Sequence, residues 1–185
     1  MSELGRRLVH ASGAVVPLAY LAGVLPWTWL RWLLVCGAVG ALILEAFRLS
    51  GRVNWRIYDA LTREYEQDNP AGYALYAVAW AATAWLFDPG IAVPAMLMLA
   101  IADPVSGLLS RGELGTKRGW VLLATFGVCL AIASLLAVPL LPAVAGALAA
   151  TLADGAKPVV GGYVVDDNLT IPLGAGVAMW VALAV

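Results

Sequence analysis

Charge is scarce in this sequence of 185 residues: 12% are Asp, Glu, Lys or Arg, against about 25% in a soluble domain. That is too little to clothe a water-facing surface. It excludes an ordinary soluble globular domain, a disordered tail and a basic nucleic-acid binder. Neither sign dominates, since 11 Lys and Arg oppose 12 Asp and Glu for a formal net charge of −1. Histidine occurs once, at His10, and cysteine twice, at Cys36 and Cys129. No His/Cys metal spacing is therefore present, and cysteines so far apart inside apolar runs read as buried small hydrophobes, not a disulfide framework. Strand-like alternation is missing from the apolar runs, which excludes a β-barrel. The Gly-x-x-x-x-Gly-Lys-Ser/Thr order of a nucleotide-binding P-loop is missing too. A cleavable leader is not expected, because Pro26, Trp27 and Trp29 follow the first apolar run in place of a small-residue cleavage site.

What the chain has in abundance is apolar length: 62% of residues are hydrophobic and the mean hydropathy is +0.86. Apolar runs fall at about 8–25, 30–47, 72–87, 90–109, 119–138, 140–153 and 169–185. A membrane-crossing helix needs about 20 residues, so the pattern predicts one integral membrane domain over 1–185, an all-α bundle of about seven transmembrane helices. Trp27, Trp29, Trp32, Trp80, Trp85, Trp120 and Trp180 mostly sit near run ends, as interfacial anchors do. With a cytoplasmic N-terminus, Arg6, Arg7, Arg48, Arg52, Arg56, Arg63, Arg111, Lys117, Arg118 and Lys157 all fall inside and Arg31 alone outside. The positive-inside bias therefore predicts a multi-pass protein of the cell membrane in that orientation. Over 52–67, Arg52, Arg56, Asp59, Arg63 and Glu66 share one helical face and Val53, Ile57, Leu61 and Tyr65 another, which predicts a cytoplasmic interfacial amphipathic helix.

Polar residues inside such runs need a reason. Asp103 follows an unbroken apolar stretch, and a carboxylate there calls for a partner charge, a water cavity or a metal. Pro104 removes a backbone donor and disfavours helical geometry at Asp103, while Ser106 and Gly107 keep the local wall thin. Arg6, Arg7 and His10 share one face of the first run. Glu45 and Arg48 close the second at i, i+3, as an internal ion pair or as part of a site. Gly112, Gly115, Lys117, Arg118 and Gly119 form a basic loop whose glycines let amides approach an anion. Asp154, Asp166, Asp167 and Asn168 surround the last cytoplasmic connection; paired Asp side chains suit Mg²⁺ carrying phosphates, or else form a turn and N-cap. Cations and acids facing each other on one surface suit a nucleoside triphosphate arriving with magnesium, and an acid sunk below the interface could meet a lipid head.

These motifs resemble the CTP-dependent polyprenol and lipid kinases, the family of dolichol kinase, phytol kinase and CTP-dependent diacylglycerol kinase. Glu3-Leu4-Gly5-Arg6-Arg7-Leu8-Val9-His10-Ala11-Ser12-Gly13 is similar to the family's E-x-x-R-K-x-x-H-x-x-G, with Arg7 in the Lys position, and Glu45-Ala46-Phe47-Arg48 to its E-x-x-R. Glu66 falls where the family often has an acid. Ala102-Asp103-Pro104-Val105-Ser106-Gly107 resembles G-D-x-x-A-x-x-x-G, with Ala102 in place of Gly. Asp166-Asp167-Asn168-Leu169-Thr170-Ile171-Pro172-Leu173 matches the terminal D-D-N-L-T-I-P-L, the most specific string of the set, and Asp154 stands where an acid often precedes it. The family's K-S-x-E-G-S segment is absent, and Gly115-Thr116-Lys117-Arg118-Gly119 runs straight into the fifth run. The resemblance implies phosphoryl transfer from CTP to the hydroxyl of a prenol such as dolichol, with Mg²⁺, at the cytoplasmic membrane face. It implies that Asp103, Asp166 and Asp167 hold the metal and that Asp103 and His10 serve the chemistry. Arg6, Arg7, Glu45, Arg48, Lys117, Arg118 and Asn168 would bind the nucleotide. The competing expectations are a lipid-phosphate cytidylyltransferase using CTP, which releases pyrophosphate in place of CDP, and a non-catalytic transporter or scaffold.

Overall fold

The computed structural model describes residues 3–51, 55, 62, 66, 67, 69–110, 117–156, 159, 160 and 163–185. They form α1 (Glu3–Ser12), α2 (Val15–Leu21), α3 (Trp27–Leu49), α4 (Gly72–Leu86), α5 (Pro89–Leu97), a π-helical turn (Met98–Ala102), α6 (Asp103–Leu109), α7 (Gly119–Leu135) and α8 (Leu140–Gly155). A two-stranded antiparallel hairpin follows, β1 (Val159–Val160) and β2 (Tyr163–Val164), pairing Val159 with Val164 and Val160 with Tyr163. The last element is α9 (Asp167–Leu183). Apart from the hairpin the described chain is helical. Taking α1–α2 and α5–π–α6 as two interrupted lengths, the described residues give seven helical lengths. The amphipathic helix expected over 52–67 lies outside the described residues, apart from Trp55, Thr62, Glu66 and Gln67.

Punctuation in the sequence sets most of the boundaries. Gly51, at φ +67°, supplies the left-handed residue that closes α3. Pro89 occupies the first turn of α5, where its missing N–H would have no helical partner. Two further breaks lie within apolar runs. The first apolar run, expected to be continuous from 8, starts at Glu3 and is interrupted at Gly13, into whose notch the Tyr76 hydroxyl of α4 fits so closely that a Cβ there would overlap it. The second concerns Pro104. Asp103 keeps helical angles (φ −63°, ψ −49°) despite the proline after it, so the local departure expected there is not found. The ring's conflict with the turn before it coincides with a widened turn at Met98–Ala102.

The length Pro89–Leu109 is the central one, 72% of its most apolar window being buried, against 22% for α3. Val93, Met96, Met98 and Leu99 are its fully buried anchors. α9 lies against α8, α4 and α5, while α3 packs on α4. Small residues permit close approach: a Cβ on Gly146 of α8 would stand 2.5 Å from the Met179 Cγ of α9, the kind of contact by which apolar helices associate. Trp80 is buried and stacks on Tyr76 with ring centroids 4.6 Å apart, so it is a core residue and not the interfacial anchor expected. Cys129 is buried as expected; Cys36 is exposed on the outer face of α3. Facing outward are large apolar side chains such as Leu123, Leu135 and Leu140, 71%, 86% and 76% exposed. Two helical lengths, Trp27–Leu49 and Pro89–Leu109, are long and apolar enough to cross a membrane, and α7, α8 and α9 are shorter apolar helices.

Candidate functional site

At one end of the bundle, helices that are distant in sequence bring their polar ends together. Asp103 opens α6, Asp154 lies in the last turn of α8 and Asp167 opens α9. One carboxylate oxygen from each lies within 4.8 Å of the other two. Asp154 and Asp167 are almost fully buried and Asp103 is partly so. Acids are favourable in the first turn of a helix, as at Asp167, and unfavourable in the last, as at Asp154, while Asp103 lies within the continuous length Pro89–Leu109. The chain answers at Asp154 with a cation: Lys117 Nζ donates to Asp154 Oδ1 at 2.5 Å and to Ser106 Oγ at 2.9 Å, and Ser106 Oγ donates to Asp154 Oδ2 at 2.6 Å.

Pro104 also explains His10. A π-turn pairs a carbonyl with the N–H five residues on, and for Leu99 that position is Pro104, which has none. His10 Nε2 donates to the Leu99 carbonyl at 3.1 Å. Since a carbonyl can only accept, Nε2 carries the proton. The same nitrogen stands 3.6 Å from Asp103 Oδ2, and the ring meets Tyr76 edge-on at 4.8 Å. One turn after Asp103, the Arg7 guanidinium lies against bare backbone at Gly107, where a Cβ would be 3.0 Å from Arg7 Cζ. Arg6 is half-buried on the same helix, and Arg118 is exposed at the head of α7.

Asp166, expected to share the metal with Asp103 and Asp167, caps α9. Its Oδ1 accepts from the Asn168 backbone N at 2.9 Å and from Asn168 Nδ2 at 2.6 Å. Asp154 is the third carboxylate of the cluster. Asn168 is buried with its Nδ2 against Gly72, and its Oδ1 has no hydrogen-bond partner among the described residues.

Glu45 and Arg48 form a two-bonded fork, Nε to Oε2 at 2.9 Å and Nη2 to Oε1 at 2.6 Å. Arg48 also donates to the carbonyls of Glu66, Gln67 and Asn69. Glu45 accepts from Ala71 N at 2.7 Å and Tyr73 Oη at 2.5 Å. The pair therefore clasps the segment leading into α4 and presents buried Glu66 beside Gly72 and Asn168. Gly112 and Gly115 of the basic loop lie outside the described residues. Sequence reasoning did not single out the bonding of Ser106 or the role of Tyr76. Ser106 had a usable signal, a hydroxyl three residues after Asp103 on an otherwise apolar helix. No family model, no curated protein and no solved structure matches the chain.

Proposed function

We propose that this is a multi-pass membrane enzyme, its N-terminus cytoplasmic, that transfers the γ-phosphoryl group of CTP to the hydroxyl of a polyprenol such as dolichol. One observation carries the reading: three carboxylates within 4.8 Å of one another, beside Lys117 and Arg7, at the end of a bundle whose outer face is apolar. Exposed apolar surface on this scale needs a lipid or protein cover, and a charged cluster at its edge can meet a phosphorylated nucleotide and a lipid alcohol together. CTP and the prenol come from the resemblance, above all from the Asp166–Leu173 string.

The donor set fits magnesium, which takes hard oxygen ligands and keeps company with phosphates. Asp103, Asp154 and Asp167 would hold it; when bound it supplies charge neutralisation across the phosphates. Arg7, Arg6 and Lys117 would take phosphate oxygens. Arg118, exposed, would reach only the outer part of the nucleotide. His10, whose Nε2–H is given to Leu99, would not act as a base at that nitrogen; it would hold the Leu99 turn that leads into Asp103. In the transfer, the alcohol oxygen forms a bond to the γ-phosphorus and the bond to the bridging oxygen breaks. CDP departs, and the alcohol's proton passes to solvent.

The test is turnover by the purified protein in detergent, with labelled CTP, Mg²⁺ and a panel of prenols. A prenyl phosphate and CDP are expected, with Asp103→Asn and Asp167→Asn each slowing turnover about 100-fold or more. Pyrophosphate as the product would make the protein a cytidylyltransferase. Turnover indifferent to both substitutions would sink the site.

A further inference from the structure

Asp154 has both carboxylate oxygens engaged, Oδ1 by Lys117 and Oδ2 by Ser106. The Lys117 ammonium is thus bonded to one oxygen of an aspartate that belongs to the three-carboxylate cluster. Lys117 precedes α7, outside any helix, and is followed by Arg118 and by Gly119, where α7 starts. Its four-carbon stem lets the ammonium change partners without moving a helix. Ser106 belongs to α6 and is fully buried, so its hydroxyl can keep Asp154 oriented when the ammonium leaves.

We infer that Lys117 is a built-in placeholder that makes metal binding depend on nucleotide. This rests on the proposed magnesium–nucleotide site and deepens it. Without nucleotide, the ammonium offsets the repulsion among the aspartates and blocks Oδ1 of Asp154, so a divalent cation alone binds poorly. Nucleotide brings phosphate oxygens, Lys117 turns from Asp154 to them, and Asp154 is released to the metal. Each ligand then strengthens the other by the same factor, as linkage requires. The site is closed to free divalent ions and open to the metal–nucleotide complex.

Mn²⁺ binding to the detergent-solubilised full chain, read by loss of the free-ion paramagnetic resonance signal, tests this with and without a non-hydrolysable CTP analogue. In the wild type, the analogue is expected to tighten Mn²⁺ binding about tenfold or more. In Lys117→Met and, as a second fold-preserving choice, Lys117→Gln, Mn²⁺ alone is expected to bind about tenfold tighter than in wild type, and the analogue's effect to shrink by a similar factor. Either variant, eluting as the wild type does, suffices. Mn²⁺ affinity that is unchanged or weaker in both variants overturns the inference. So does failure of Mn²⁺ to bind any form, which also removes the proposed site. A gain in metal-only affinity in protein that turns over no CTP would uphold the placeholder while ending the kinase reading.

Discussion

A Cβ at Gly13 would overlap the Tyr76 hydroxyl and come within 3.2 Å of the His10 carbonyl. Tyr76 has little room to retreat, because its ring also touches His10 and Trp80. Gly13→Ala is therefore expected to destabilise the protein by about 1–3 kcal/mol, the usual cost of overfilling a packed site. Adding Tyr76→Phe, which removes the colliding oxygen, should recover part of the loss in a thermal melt; no recovery would mean that the collision is not the cause. The acids tell how far single residues can be read from sequence. Asp103 and Asp167 stand out because a carboxylate beside an apolar run is anomalous by itself. That Asp154 joins them while Asp166 caps α9 is not legible, since which of several nearby acids turns inward depends on packing and on caps, here the bond from Asn168 to Asp166.

Among the elements, α3 and the approach to α4 are joined by the Glu45–Arg48 fork. Both side chains are nearly inaccessible, 5% and 9% exposed, and removing one member of such a pair leaves the other buried and uncompensated. Arg48→Met is expected to cost about 3–5 kcal/mol. Limited proteolysis should find the 66–71 segment newly cleavable, because three of its carbonyls lose their donor; an unchanged digestion pattern would show the clasp to be dispensable. The helices themselves are legible in hydropathy, since each apolar run became a helical length. The interruptions at Gly13 and at Met98–Ala102 are less so. The first is coupled to a tyrosine contributed by another helix, and the second to a histidine about ninety positions upstream that takes up the carbonyl Pro104 cannot serve. Local patterns do not contain such partners.

For the whole molecule, the consequence lies in how the cluster is assembled. Asp103, Asp154 and Asp167 come from three different helices, and what unites them is the level each reaches along its own helix. One extra residue inside a helix turns everything beyond it by about 100° and shifts it by about 1.5 Å. An alanine inserted after Leu148 should therefore abolish Mn²⁺ binding in the presence of nucleotide. Leu148→Ala, at an outward-facing position of the same helix, should leave binding within about twofold of wild type, as surface replacements usually do. Retained binding in the insertion would show that these levels are not what sets the spacing. Along these apolar stretches, then, spelling is free and length is not: the lettering can drift so long as the ruler keeps its graduations.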